Sequence, residues 1–229
     1  MRALIFDFDG VIADSEMLAN TVLAEWVSRH GLPTSVEQAM QRYLGKRWPE
    51  VIAAVEAQSG RALPADFPQA LKMATLERFR AELREVPGAA AFVRRHAHWR
   101  RGIASSSAPD RLGVCLERLG LAEDFGEHVY SAELVAHGKP APDIFLLAAS
   151  RLGVAPADCI IIEDSAGGVR AGLAAGMTVI GLCAASHLSA GHAEVLRAAG
   201  AHHVAADWAG VETILAATST GPGTPSSDR

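Results

Sequence analysis

What the 229-residue sequence lacks narrows its function before any motif is considered. It has no excess of basic charge. Its 21 Lys and Arg stand against 26 Asp and Glu, a formal net charge of -5, so no electropositive footprint awaits a phosphate backbone and nucleic acid is not expected as the main partner. Long apolar runs are missing too: the amino-terminal one, Ala-Leu-Ile-Phe, is broken by two aspartates. It is far short of a signal-peptide core or of the roughly 20 residues that cross a bilayer, so no membrane partner is expected. Cysteine is scarce, and Cys115, Cys159 and Cys183 lie too far apart for a metal clip or a CxxC pair; they read as small buried hydrophobes of a reducing, cytoplasmic protein. There is no GxGxxG and no internal repeat.

Hydrophobic residues at 49% and charged residues at 21% are those of a folded globular chain, and the length suits one large domain or two modest ones. Short apolar runs at 3–6, 102–104, 129–130, 159–162 and 178–182 read as buried strands. Helical patterns at 111–119, 142–152 and 166–175 alternate with them; the Ala and Gly of the last imply close helix-to-sheet packing. That alternation predicts an α/β fold, a Rossmann-like parallel sheet with helices on both faces. Residues 15–84 break the pattern, with amphipathic runs at 18–29, 36–43, 49–58 and 67–83 and no strand. We therefore expect a core domain of residues 1–14 and 85–217, an inserted helical cap of 15–84, and a disordered Ser, Thr, Gly and Pro tail at 218–229.

Chemistry-bearing residues fall where apolar runs give way to loops, and in an open parallel sheet such loops line one crevice at the carboxyl ends of the strands. Asp7 and Asp9 follow the first run. Ser105 and Ser106 follow the second, Lys139 lies in Gly-Lys-Pro before a helix, and Glu163 and Asp164 close the run Ile160-Ile-Ile. Singly, each has a plainer explanation. Asp9 beside Gly10 suits a turn, Asp164 or Ser165 a helix cap, the serines a turn, and Lys139 a solvated surface. Together, several carboxylates near one point call for a cation, and an all-oxygen set suits Mg²⁺. Lys139 and a serine hydroxyl would complete a pocket for a phosphoryl group.

The segment Asp7-Phe-Asp-Gly-Val-Ile-Ala-Asp-Ser-Glu resembles the first motif of the haloacid dehalogenase superfamily. Ser105 resembles its second motif, Gly138-Lys139-Pro its third and Ile162-Glu-Asp-Ser-Ala-Gly-Gly its fourth, the likeness running from residue 1 to about 208. The resemblance implies a phosphatase of a small phosphorylated metabolite. Asp7 would be nucleophile and Mg²⁺ ligand; Asp9 would be acid/base and give its backbone carbonyl to the metal. Asp164 would be a Mg²⁺ ligand, with Glu163 beside it binding the metal directly or through water, and Ser105, Ser106 and Lys139 would hold the phosphoryl group. Asp9 should carry a proton for the leaving group, its pKa raised by burial under the cap.

A β-phosphoglucomutase-type mutase is the rival, but that branch carries a histidine where this chain has Ala19. A non-catalytic phosphate-binding module is the alternative from another class. In the cap, Gly45, Lys46 and Arg47 stand beside Trp48 at a helix-to-helix turn and are candidates for substrate specificity. A monomer or weak homodimer is expected.

Overall fold

The computed structural model describes residues 2–43 and 48–219. A short run with no polar residue belongs where both faces of a sheet are covered, and β1 (Ala3–Phe6) is fully buried along its length. With it stand β2 (Arg100–Ser105), β3 (Val129–Ser131), β4 (Cys159–Glu163), β5 (Thr178–Leu182) and β6 (His203–Ala205). All pair in parallel, in the order β3-β2-β1-β4-β5-β6. The order reverses direction at β1, the switch point beside which an α/β sheet opens its crevice. The first five strands lie where the apolar runs predict them. The sixth has only three residues, one of them His203, and gives no apolar run to detect.

Helices α1 (Glu16–Arg29), α2 (Val36–Tyr43), α3 (Trp48–Ser59) and α4 (Phe67–Glu82) all lie between β1 and β2. Gly31 and Gly60, which end α1 and α3, take φ of 93° and 66°, a conformation open to glycine at little cost. These four helices bury a cluster of their own, built from Val22, Val27, Tyr43, Val55, Phe67 and Leu71. The chain enters and leaves this region through two segments that run side by side: Asp14 N–H donates to the Arg84 carbonyl (3.0 Å) and Val86 N–H to the Ile12 carbonyl (2.9 Å).

Beyond them come α5 (Ala89–Arg95), α6 (Pro109–Leu119), α7 (Ala122–Phe125), α8 (Asp143–Leu152), α9 (Ala166–Ala174), α10 (His192–Ala198) and α11 (Trp208–Ser219). Because side chains alternate along a strand, Leu4 and Phe6 pack with Phe92 of α5 and Trp208 of α11 on one face. Ala3 and Ile5 pack with Phe145 of α8 and Val169 of α9 on the other. The close packing expected of the Ala and Gly stretch is present at Gly172, where a Cβ would lie 2.6 Å from Val179 Cγ2 and 2.7 Å from Ile161 Cδ1. The last helix runs to Ser219, two residues into the stretch read from sequence as a tail; residues 220–229 lie outside the described residues.

Candidate active site

Asp7 is the first residue past β1, and its N–H donates to the Ile162 carbonyl (2.9 Å), extending the β1–β4 ladder by one bond. That register sets its carboxylate beside the end of β4. Between the two strands comes Lys139, whose Nζ donates to Asp7 Oδ1 (2.7 Å) and to Glu163 Oε1 (2.8 Å). The lysine side chain is 7% exposed, and its ammonium lies 4.8 Å above the Phe145 ring. The other oxygen of Glu163 accepts from Ser165 N–H (2.7 Å) and Ser165 Oγ (2.9 Å), while Ser165 Oγ caps α9 by accepting from Gly168 N–H (3.0 Å). Two glycines make this closeness possible. A Cβ at Gly168 would fall 1.5 Å from Glu163 Oε1, and one at Gly10, where φ is 79°, 1.8 Å from Asp164 Oδ2.

Asp7, Glu163 and Asp164 are all buried and offer carboxylate oxygens within 4.8 Å of one another. One ammonium faces three carboxylates, and the proton affinities show the imbalance. Burial pushes Asp7 up to about 7 despite Lys139. Burial, then the charges of Glu163 and Asp7, raise Asp164 well above the usual carboxylate range. Lys139 would be depressed by burial, yet its two carboxylate partners raise it, so it stays an ammonium. Each shift has one sense: the site takes up positive charge. Hard oxygen donors with that deficit fit Mg²⁺, which is commonly held by one or two carboxylates, water and a substrate phosphate.

Asp9, two residues on, lies outside that cluster. Its Oδ1 accepts from Ser15 Oγ and from Arg111 Nη2 (2.5 Å), and its Oδ2 from Ser107 Oγ (2.6 Å). Burial alone would raise its pKa, but the Arg111 charge and the hydrogen bonds from Ser107, Ser15 and Arg111 outweigh burial and hold it below the ordinary value. The expectation that burial leaves Asp9 protonated is therefore corrected: in this state it is an ionised carboxylate, because a cation and two hydroxyls are bonded to it.

Ser105 ends β2, two positions beyond the Phe6–Ile103 pair, and is 1% exposed; its Oγ accepts from Ser107 N–H (3.0 Å). Ser106 is exposed. Gly45, Lys46 and Arg47 lie outside the described residues. Around the expected residues the structure gathers others that sequence reasoning did not single out. Ser15 and Ser107 sit inside motifs already noted, and a third serine after β2 was a signal within reach. Arg111, in the first turn of α6, and His192, whose Nε2 donates to the Asp164 carbonyl (2.6 Å), gave none. Two other histidines bond elsewhere: His128 pairs with Tyr130 Oη (2.8 Å) and His202 accepts from Val179 N–H (3.0 Å).

A parallel sheet with a helical insertion after its first strand and an acidic cluster at the strand ends defines a class, and a family model agrees. The model for haloacid dehalogenase-like hydrolases matches residues 1–176, and the chain belongs to that family. Among its relatives, the fructose-1-phosphate phosphatase YqaB of Escherichia coli is 33% identical over 182 residues, covering 77% of this chain and 94% of its own. The β-phosphoglucomutase of Bacillus subtilis is 31% identical over 199 residues, 80% of this chain and 83% of its own. The crystal structure of a HAD family hydrolase from Deinococcus radiodurans, with bound phosphate and sodium, superposes with a TM-score of 0.82 at 33% identity, covering 96% of each chain. No helix of the described residues is long and apolar enough to cross a membrane.

Proposed function

We propose that the protein is a Mg²⁺-dependent phosphatase of small phosphorylated metabolites, sugar phosphates foremost, acting through an aspartyl phosphate on Asp7. The observation that carries this reading is the Asp7 carboxylate, fixed by Lys139 at the edge of a buried acidic cluster short of positive charge. In the first step an Asp7 oxygen attacks phosphorus and the ester P–O bond breaks, the departing alkoxide taking a proton from Asp9. Asp9 starts ionised; the negative charge of an entering phosphoryl group favours its taking up that proton from solvent before the P–O bond breaks. In the second step water attacks the phosphoaspartate and passes its proton to Asp9; inorganic phosphate leaves and Asp7 is restored.

Lys139, Ser105 and Ser106 hold the phosphoryl oxygens. Asp7, Asp164 and the Asp9 carbonyl hold the metal, with Glu163 acting through water because both its oxygens are engaged. Mg²⁺ supplies charge against the phosphoryl oxygens when bound. Gly45, Lys46 and Arg47 contribute to substrate choice.

Release of phosphate from p-nitrophenyl phosphate, measured with Mg²⁺, after chelation and after Mg²⁺ is restored, tests the proposal. Turnover should vanish and return with the metal. No release from this ester or from any common sugar phosphate would return the protein to a non-catalytic phosphate-binding role. A mutase is the second reading, favoured by the likeness to β-phosphoglucomutase; conversion of β-glucose 1-phosphate to the 6-phosphate without free phosphate would establish it.

A further inference from the structure

The groups around Asp9 form a second cluster that the proposed reaction leaves partly unused. Arg111 Nη2 reaches Asp9 Oδ1 (2.5 Å) and Ser15 Oγ (3.3 Å) and stands 3.9 Å from Glu16 Oε1. The guanidinium carbon lies 4.9 Å from the centre of the Phe79 ring, so a residue of core helix α6 meets both α1 and α4 of the inserted region. Among the described residues its side-chain hydrogen bonds all run through Nη2, and its buried Nε has no partner. Yet a quarter of the side chain (25%) is exposed, as is 27% of Glu16. This is a rigid five-donor fork with donors to spare, beside a carboxylate that keeps solvent access.

The position matters because an ester oxygen protonated by Asp9 must come within hydrogen-bond reach of that carboxylate. The carbon chain it carries must then pass the groups around Asp9, of which, among the described residues, Arg111 and Glu16 are the charged ones on the side away from the strand-end cluster. We propose that Arg111 and Glu16 form the subsite for the alcohol part of the substrate, and that the alcohol they take is uncharged and polyhydroxylated.

A hydroxyl both donates and accepts, matching a guanidinium donor set against the Glu16 acceptor. A carboxylate or second phosphate on the alcohol would instead meet the Glu16 carboxylate, a like charge beside the one guanidinium, while Asp9 carries the proton for the leaving group. Lys139 cannot compensate, its three donors being taken by Asp7, Glu163 and the transferring phosphoryl group. The inference rests on the phosphatase reading and adds to it the class of leaving group.

Steady-state kinetics on three esters decide it: sorbitol 6-phosphate, which is neutral beyond its phosphate, 6-phosphogluconate, which carries a carboxylate, and ethyl phosphate, which has nothing for the subsite to hold. The wild-type protein should favour sorbitol 6-phosphate over 6-phosphogluconate in kcat/KM. Glu16→Gln should narrow that ratio several-fold, chiefly through a lower KM for 6-phosphogluconate. Arg111→Met should raise KM for sorbitol 6-phosphate about tenfold, the worth of one hydrogen bond to a charged group, and KM for ethyl phosphate by a much smaller factor. Any fall in kcat common to both esters reports on Asp9 instead. Arg111→Lys, which keeps the charge and loses the fork, should lie between.

Equal KM changes on the two esters, an unaltered ratio in Glu16→Gln, or a wild-type preference for 6-phosphogluconate would overturn the subsite while leaving the phosphatase standing. Failure of the wild-type protein to hydrolyse any of the three while it cleaves p-nitrophenyl phosphate would overturn the subsite alone, and failure on all four esters would sink both. A thermal melt of each variant separates lost binding from lost fold, and Glu16→Gln, a near-isosteric change at a part-exposed position, keeps the test open if Arg111→Met does not fold.

Discussion

Asp7 and Asp9 leave the same strand two residues apart, yet the regions they enter push them in opposite directions. Asp7 faces the strand ends, where three buried carboxylates share one lysine, and its pKa climbs to about 7. Asp9 faces the inserted helices, where Arg111, Ser107 and Ser15 enclose one carboxylate, and its pKa falls. Burial acts on both with the same sign, so the difference comes from the count of opposite charges and donors buried alongside. The strand-end side is starved of positive charge and the cap-facing side is not. A cation and a phosphoryl group would be drawn to the first, and a neutral group suits the second.

The largest effect should come from removing the carboxylate of Asp7. Asp7→Asn should reduce phosphate release more than about a thousandfold, as expected when a covalent nucleophile is lost, with the circular-dichroism melt little changed. Appreciable turnover by that variant would break the comparison by taking the covalent role away from the strand-end side. Lys139→Met comes next. It strips the one ammonium from two buried carboxylates, so it should cost about 3–5 kcal/mol in urea unfolding as well as activity. Added Mg²⁺ should return part of that stability, and no recovery would argue against a cation site there.

Two adjacent glycines give a finer test of how closely α9 approaches Glu163. Gly168→Ala places a methyl into the carboxylate and should destabilise by about 1–3 kcal/mol, whereas Gly167, with nothing within 4 Å of its added Cβ, should accept alanine at no cost or gain about 0.5–1 kcal/mol. Equal effects in denaturant titrations would mean that the close approach is not there. The smallest effect concerns Cys115, one turn after Arg111 on α6. Burial, then the Asp9 charge, pushes its thiol up to about 12, so almost no thiolate exists at pH 8. Half-buried Cys183 should therefore react with a maleimide first, and rapid labelling of Cys115 in the folded protein would show that the Arg111 side is more open than described.

Much of this was legible in the residues themselves. Asp7, Asp9, Lys139, Glu163 and Asp164 each stand at or near a boundary where an apolar run meets a polar loop or a helix start, and the one-crevice rule for parallel sheets then gathers them without coordinates. The helical insertion could be read for a similar reason: periodicity near 3.6 over 36–43, and the lack of a strand-like run across 15–84, are local signals. Arg111 was not, because a charged residue in the first turn of a helix looks the same whether it faces water or Asp9. Nor was β6, whose three residues carry too little pattern to stand apart from a loop.

The order of strands and helices, the place of the insertion and the carboxylates at the strand ends are thus properties of the chain alone, since they follow from patterns spanning a few neighbouring residues. The protonation of Asp9, the engagement of both oxygens of Glu163 and the meeting of Arg111 with Asp9, Ser15 and Glu16 were decided only by the tertiary structure. Ion pairs across 102 residues of sequence depend on how helices seat against a sheet, and on the few ångströms over which charges in a buried site still act.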